Sequence, residues 1–318
     1  MSDYRFFDRL RADAVGERRA IVAGLLADAP TIAPKHFYDP VGCALFGAIC
    51  ELPEYYPTRT ERAIFVDYRE EITETIGRGR QFVDLGAGDC FKAQGWLPFL
   101  APRRYIAVDI AGDALARALA RMAPEFPELE VTGIVADFTR GLDLREDLGD
   151  APAMFFYPGS SIGNFQPDDA RRFLSDIHLH CIASQRSGLL IGVDTKKESR
   201  RLAAAYDDSL GVTAAFNRNV LRHVNQIVGA DFDPAAFTHV AFYNEQHGRI
   251  EMHLAARKPQ VVRIDGSSRT FATGDLIHTE YSYKYTPAEF TTLLHDAGFA
   301  DVRCWQDAAR DFAVYWVT

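Results

Sequence analysis

The chain has few cysteines, and no two of them sit at the spacing of a metal or redox centre. Cys43, Cys50, Cys90, Cys181 and Cys304 are scattered and odd in number, which excludes a disulfide framework and fits a reducing compartment. The histidines include no HExxH motif. His178 and His180 stand two apart on an expected helix and so face different ways, and no metal is expected. Long apolar runs are also missing: none approaches the roughly 20 residues needed to cross a bilayer. The opening MSDYRFFDRLRAD carries charges where a secretion signal needs its apolar stretch. A cytoplasmic location with no membrane partner is therefore expected. Basic charge is short as well, with a net charge of −9. Nucleic-acid binding draws most of its affinity from neutralised phosphates, so no nucleic-acid partner is expected, although Arg201 and Arg218 could form a local basic patch. A small-molecule substrate remains.

What is present is an ordinary globular composition, 47% hydrophobic and 25% charged over 318 residues, enough for one large core or two modest ones. Residues 1–60 read as helices and loops, and Thr58 or Thr60 is placed to cap the helix that follows. From about residue 80 the texture changes. QFVDLGAG, RRYIAVDI, LEVTGIVADF, APAMFFYPGSSIGN and SGLLIGVDT are apolar runs, separated by helical stretches such as GDALARALARMA and PDDARRFLSDIHLHCI. Strands alternating with helices predict βαβ units, and nearly continuous apolar strands predict a parallel sheet covered on both faces. Residues 197–286 break the alternation: two helices joined near Gly211, a hairpin turning near His247–Gly248, then more strand-like sequence. A closing helix ending at Gly298 and a strand pair, DVRCWQ and FAVYWVT, follow. The fold class predicted is α/β, a doubly wound Rossmann-like sheet with a second, smaller α+β domain. The expected domains are 61–196 plus 287–318, and 1–60 plus 197–286.

The first strand ends in VDLGAGDCFK. Gly86 and Gly88 allow a tight turn and close approach to a ligand. The third glycine of a dinucleotide fingerprint is replaced by Phe91, so no full pyrophosphate cradle is expected. A D-x-G-x-G strand end resembles that of S-adenosylmethionine-dependent enzymes. Asp109 closes the second strand, where an acid can accept ribose hydroxyls. Asp137 and Phe138 close the third, a carboxylate and a flat ring suited to the donor edge and face of adenine. Either acid could instead cap a helix. Lys92 could meet the methionine carboxylate of the cofactor or be a solvated lysine. Cys90 reads as a small loop residue.

FYDPVG at 37–42, LPEYYPTRTE at 52–61, GSSIGN at 159–164, AAYDDSLGVTAAFNRNVL at 204–221, RIEM at 249–252 and TEYSYKY at 279–285 follow in this order. From about residue 20 onward the chain resembles the histidine Nα-methyltransferases of ergothioneine biosynthesis. The resemblance implies a class I methyltransferase sheet with a substrate-binding domain, and histidine held between the two. It implies trimethylation of histidine to hercynine, with S-adenosylmethionine as methyl donor and S-adenosylhomocysteine as product. Its cofactor residues fall on Gly86, Lys92, Asp109, Asp137 and Phe138. Its histidine-binding residues fall on Tyr55, Asn164, Tyr206, Glu280 and Ser282, with Tyr38, Thr213 and Met252 at further pocket positions. Tyr38 is the candidate for contacting the amine. The chain departs from the pattern in LGAGDCFK, where relatives often carry serine, threonine and an acid before the lysine, and in Tyr157–Pro158 before Gly159.

Physical chemistry agrees with these roles. Glu280 and Ser282 are two apart on a strand and so share a face. A carboxylate and a hydroxyl side by side match the two nitrogens of an imidazole, and Asn164 and Tyr206 offer neutral donors to an amino-acid head group. Read without the family, the first pair is an ordinary polar strand face and Asn164 a turn residue. A monomer is expected. The rival expectations are a methyltransferase for another amino acid or imidazole compound, a nucleic-acid methyltransferase, and a catalytically silent S-adenosylmethionine-binding protein.

Overall fold

A computed structural model describes residues 4–10, 14–141, 143–184 and 186–318. In chain order the strands are β1 (Arg5–Asp8), β2 (Gln81–Leu85), β3 (Arg104–Asp109), β4 (Glu130–Val135), β5 (Ala153–Tyr157), β6 (Gly188–Asp194), β7 (Phe237–Asn244), β8 (Arg249–Ala256), β9 (Gln260–Ile264), β10 (Ser267–Phe271), β11 (Leu276–Tyr283), β12 (Val302–Gln306) and β13 (Phe312–Val317). They divide between two compact units. The first comprises Met1–Leu10, Pro57–Lys196 and Lys284–Thr318, and the second Arg11–Tyr56 and Lys197–Tyr283.

The first unit is built on an eight-stranded sheet of order β1-β4-β3-β2-β5-β6-β13-β12. Strands β1 to β6 pair in parallel, and β13 and β12 close one edge antiparallel. Strands β2, β5, β6 and β13 are buried along their whole length, because helices cover both faces of a parallel sheet. Helix Gly112–Met122 shows how: Leu115, Ala118, Leu119 and Met122 are buried, the three- and four-residue spacing of a single helical face. Each such large apolar side chain contributes about 1.5–3 kcal/mol on burial. The chain winds from β2 outward through β3 and β4, then returns to β5 on the other side of β2. That reversal makes β2 and β5 the switch point, at whose carboxyl ends ligands bind in open α/β sheets.

Two expectations are corrected here. Arg5–Asp8 is a strand, paired in parallel with Thr132–Val135; four residues with exposed side chains carry no alternation to read from sequence. It belongs to the sheet unit and not with the rest of residues 1–60. Thr58 and Thr60 do not cap a helix, because the helix already begins at Tyr56 and runs to Asp67. Pro57, which has no N–H to satisfy, is well suited to that first turn.

The second unit contains a three-stranded antiparallel sheet, β11-β8-β7, and the β9–β10 hairpin. Helix Val212–Val228 buries Thr213, Phe216, Asn217, Val220, Leu221, Val224 and Val228, and shares a core with Ile250, Met252 and Leu254 of β8. Gly211 and Gly229 flank it, both in the left-handed region. No helix among the described residues is long and apolar enough to cross a membrane.

Candidate active site

Five expected cofactor residues, Gly86, Gly88, Asp109, Asp137 and Phe138, stand at the carboxyl ends of β2, β3 and β4. Gly86 and Gly88 have φ of 72° and 55°, which a residue with a Cβ adopts only with strain. That turn lets the N–H of Gly88 donate to Asp109 Oδ2 at 2.8 Å, while Ala111 N–H donates to Oδ1 at 2.7 Å. Burial pushes the Asp109 pKa up, and the backbone donors pull against it. Each carboxylate oxygen has two acceptor sites, so two bonds leave Asp109 capacity for the hydroxyls of a ribose. A Cβ on Gly86 would stand 3.9 Å from the ring of Phe138, and one on Gly88 would meet nothing within 4 Å. The glycine turn therefore lies beside Asp109 and the Phe138 ring at the carboxyl ends of β2, β3 and β4. Phe138 is backed by the rings of Tyr157 and Phe173, at 5.9 and 5.7 Å. Asp137 accepts from the N–H of Thr139 at 3.1 Å, so it does cap the short helical turn after β4.

Lys92 is held by a residue the sequence reading missed. Its ammonium lies 2.6 Å from Glu61 Oε2, and Glu61 Oε1 accepts from Gly159 N–H at 2.6 Å. The Glu61 side chain is 1% exposed. One carboxylate therefore ties the loop after β2 to the loop after β5. Gly159 is required here: its φ is +79°, and a Cβ would come within 3.1 Å of Lys92 Nζ. Lys92 keeps further N–H donors and is partly exposed, so it can serve a carboxylate beyond Glu61. The loop after β5 is pinned again by Ser160 Oγ, which accepts from Asp194 N–H at 2.9 Å. The Asp194 carboxylate in turn meets Lys284 at 2.9 Å, both side chains fully buried. Asn164 lies half-buried at the end of the same loop, in the turn Ser161–Asn164. Glu61 ends a motif dense in aromatic and hydroxyl residues, and nothing in that motif marks it as buried.

Beneath the glycine turn, Tyr105 donates to Asp84 Oδ2 at 2.7 Å, and burial pushes the Asp84 carboxyl up to about 7. Cys90 is fully buried, and its thiol is pushed up to about 12. A protonated, inaccessible thiol is no nucleophile.

In the second unit the expected substrate residues gather around β8 and β11. The Tyr206 hydroxyl and Ser282 Oγ share a buried hydrogen bond of 2.8 Å. Glu280, two residues earlier on the same face, pairs with Met252 across the sheet. Tyr55 packs edge-on to Tyr206 at 6.2 Å and to Phe46 at 6.3 Å, and Phe46 meets Tyr38 at 5.8 Å. Burial pushes the Tyr55 hydroxyl pKa well up, with Tyr206, Cys50, Tyr38 and Glu280 adding to it. Thr213, buried in the first turn of its helix, donates its N–H to Asp208 at 2.7 Å. Tyr206, expected at the amino-acid head group, and Ser282, expected at the ring, are thus joined by one hydrogen bond.

Comparison with known proteins shows the family. A family model described as histidine-specific, S-adenosylmethionine-dependent methyltransferase matches residues 17–318. A histidine N-alpha-methyltransferase of Mycolicibacterium smegmatis is 40% identical over 313 residues, covering 96% of each chain. A protein of the same description from Mycobacterium tuberculosis is 36% identical over 307 residues, covering 93% of each. Among solved structures, an S-adenosylmethionine-dependent methyltransferase from Clostridium acetobutylicum aligns over 80% of this chain and 91% of its own, at 12% identity and a TM-score of 0.47. A family match over nearly the whole chain, with relatives 40% and 36% identical along almost their full length, leads to one assignment: the chain belongs to the histidine-specific, S-adenosylmethionine-dependent methyltransferases.

Proposed function

We propose that the protein methylates the α-amino group of free L-histidine, in three successive transfers that give hercynine, within ergothioneine biosynthesis. The observation that carries the substrate assignment is Glu280 beside the buried Tyr206–Ser282 pair, in a chain of this family. A carboxylate accepts from one imidazole nitrogen. The linked hydroxyls can turn either way, since either atom can donate, and so serve the other nitrogen as donor or acceptor.

S-adenosylmethionine supplies a sulfonium methyl already activated for displacement. Gly86, Gly88, Asp109, Asp137 and Phe138 are proposed to hold its adenosyl end, and Lys92 its carboxylate. The rest of the work is alignment and exclusion of water. The attacking amine must be neutral. Protein α-amino groups titrate near about 8 and the amine of free histidine somewhat higher, so activity rises with pH through that range and above it. Asn164 is proposed for the amino-acid head group. Tyr38 and Tyr55 offer ring faces to a head group that becomes permanently cationic, worth about 0.5–2 kcal/mol. Anchoring the ring, which does not change, lets the amine be remethylated as its N–H donors disappear. The third transfer leaves no lone pair, and reaction stops. The reading also takes the protein to be a cytoplasmic monomer that works without metal, nucleic acid or membrane.

Incubation with labelled S-adenosylmethionine and a panel of amino acids tests this. Histidine carrying three methyl groups on the α-nitrogen is expected by mass spectrometry. Transfer only to another amino acid, or to the imidazole ring, overturns the assignment.

A further inference from the structure

His239 lies on β7 with little exposure and joins two buried groups. One ring nitrogen, Nε2, stands 2.8 Å from the carbonyl oxygen of Tyr206. The other, Nδ1, stands 2.8 Å from the side-chain nitrogen of Asn217. That same amide nitrogen lies 3.0 Å from the carbonyl oxygen of His253. A carbonyl only accepts, so the atom of Asn217 facing His253 is the nitrogen, and its orientation is fixed. An amide nitrogen only donates, so Nδ1 of His239 accepts and carries no proton. The ring proton then sits on Nε2 and is donated to Tyr206. The tautomer of His239 is thus set by a backbone carbonyl on the neighbouring strand, through Asn217.

We infer that His239, held as the neutral Nε2–H tautomer by Asn217, is a positioning residue that fixes the main chain at Tyr206 and so places the hydroxyl pair that receives the substrate's imidazole. The inference rests on the substrate reading given above. Tyr206 follows the short helix Ser199–Ala204 and precedes Asp207 and Asp208, a turn that no strand holds. Its hydroxyl is tied to Ser282, and its carbonyl is tied to His239. Its own N–H also donates to the Ala203 carbonyl at 3.0 Å, and the bond from His239 adds a tie on the carbonyl side that sets the direction in which the side chain leaves the main chain.

A second proton on His239 would set an N–H against the N–H of Asn217. Reversing the amide would rescue that contact only by taking the donor from His253. Burial also holds the His239 pKa below the usual imidazole range. The Tyr206 carbonyl, Asp207 and Asp208 favour the charged ring, and Arg218 opposes it. The neutral ring is therefore the working form.

The experiment compares wild type with His239→Phe, His239→Gln and Tyr206→Phe. Glutamine can donate to the Tyr206 carbonyl and accept from Asn217. Losing one buried hydrogen bond in His239→Phe raises the KM for histidine about tenfold, with kcat and S-adenosylmethionine affinity by calorimetry unchanged; His239→Gln restores most of the loss. In 15N-resolved imidazole spectra, the wild-type resonance absent from His239→Gln reports an Nε2–H neutral ring. An Nδ1–H ring, or an unchanged KM in folded His239→Phe, overturns the inference. A folding failure of the phenylalanine variant leaves the spectrum and the glutamine variant to decide it. Tyr206→Phe separates the two readings: if it leaves the histidine KM unchanged, the hydroxyl pair does not receive the imidazole and the inference falls, whereas product analysis that finds transfer only to another amino acid overturns the substrate reading.

Discussion

The two units make their sites in different ways. In the sheet unit the proposed cofactor residues are presented by main chain. Two glycines in the left-handed region turn the loop, and a buried carboxylate takes its bonds from backbone N–H groups. In the smaller unit the proposed site is made by side chains that meet from far apart in sequence: Tyr55, Tyr206, Glu280 and Ser282. The first kind of site depends on local conformation, and the second on packing of whole elements. Cofactor affinity and substrate selectivity should therefore respond to different substitutions.

The sharpest break of that comparison is Glu280→Ala. Loss of a charged acceptor facing the substrate ring costs about 1.5–3 kcal/mol, so kcat/KM for histidine falls roughly 10- to 150-fold. Calorimetric affinity for S-adenosylmethionine stays at the wild-type value. Unchanged turnover of histidine would remove Glu280 from the site. The complementary substitution is Asp109→Ala. It strands the N–H groups of Gly88 and Ala111 and removes the acceptor offered to the ribose. Cofactor binding weakens by about 1–3 kcal/mol, measured by calorimetry. A cofactor affinity that does not move shows that the glycine turn needs no carboxylate.

The same contrast explains what could be read from the sequence. Glycines and acids at strand ends are local signals, so the turn at Gly86–Gly88, Asp109 and Phe138 were all legible. The alternation of apolar strands and helices foretold the parallel order, because burial on both faces leaves that texture. Glu61 and His239 were not legible. Glu61 acts through a bond to Gly159, 98 positions away, and His239 through Asn217 and Tyr206. A charge in a helix or a histidine in a strand has no local mark of burial. The strand Arg5–Asp8 was missed for the opposite reason: it is exposed at a sheet edge and has no apolar pattern at all.

Gly159 sharpens the comparison from within the sheet unit. A Cβ there meets Lys92 Nζ at 3.1 Å on a backbone of φ +79°. The left-handed conformation alone costs about 1–2 kcal/mol for a non-glycine residue. Gly159→Ala should lower the melting temperature and weaken cofactor binding together, since displacing Lys92 loosens its tie to Glu61. Equal cofactor affinity in the folded variant would mean that the loop after β5 is independent of the one after β2.

The smallest effect concerns pH and lies in the sheet unit alone. Asp84 is fully buried against Tyr105, and burial raises its carboxyl to about 7. In the unfolded chain an aspartate titrates near about 3.9. Between these values the folded protein holds a proton that the unfolded chain has released, so stability falls as pH rises through the window. Below it both states are protonated, and above about 7 both are ionised, so the slope vanishes at either end. Asp84→Asn keeps an acceptor for the Tyr105 hydroxyl but cannot ionise. The difference in melting temperature between wild type and Asp84→Asn should therefore be smallest near the acid end of the window. It should grow in favour of the variant as pH rises toward 7, and then level off. Scanning calorimetry of both proteins across that range measures it. A constant difference would mean that the Asp84 carboxyl is ionised throughout, with Tyr105 and the nearby Lys92 outweighing its burial.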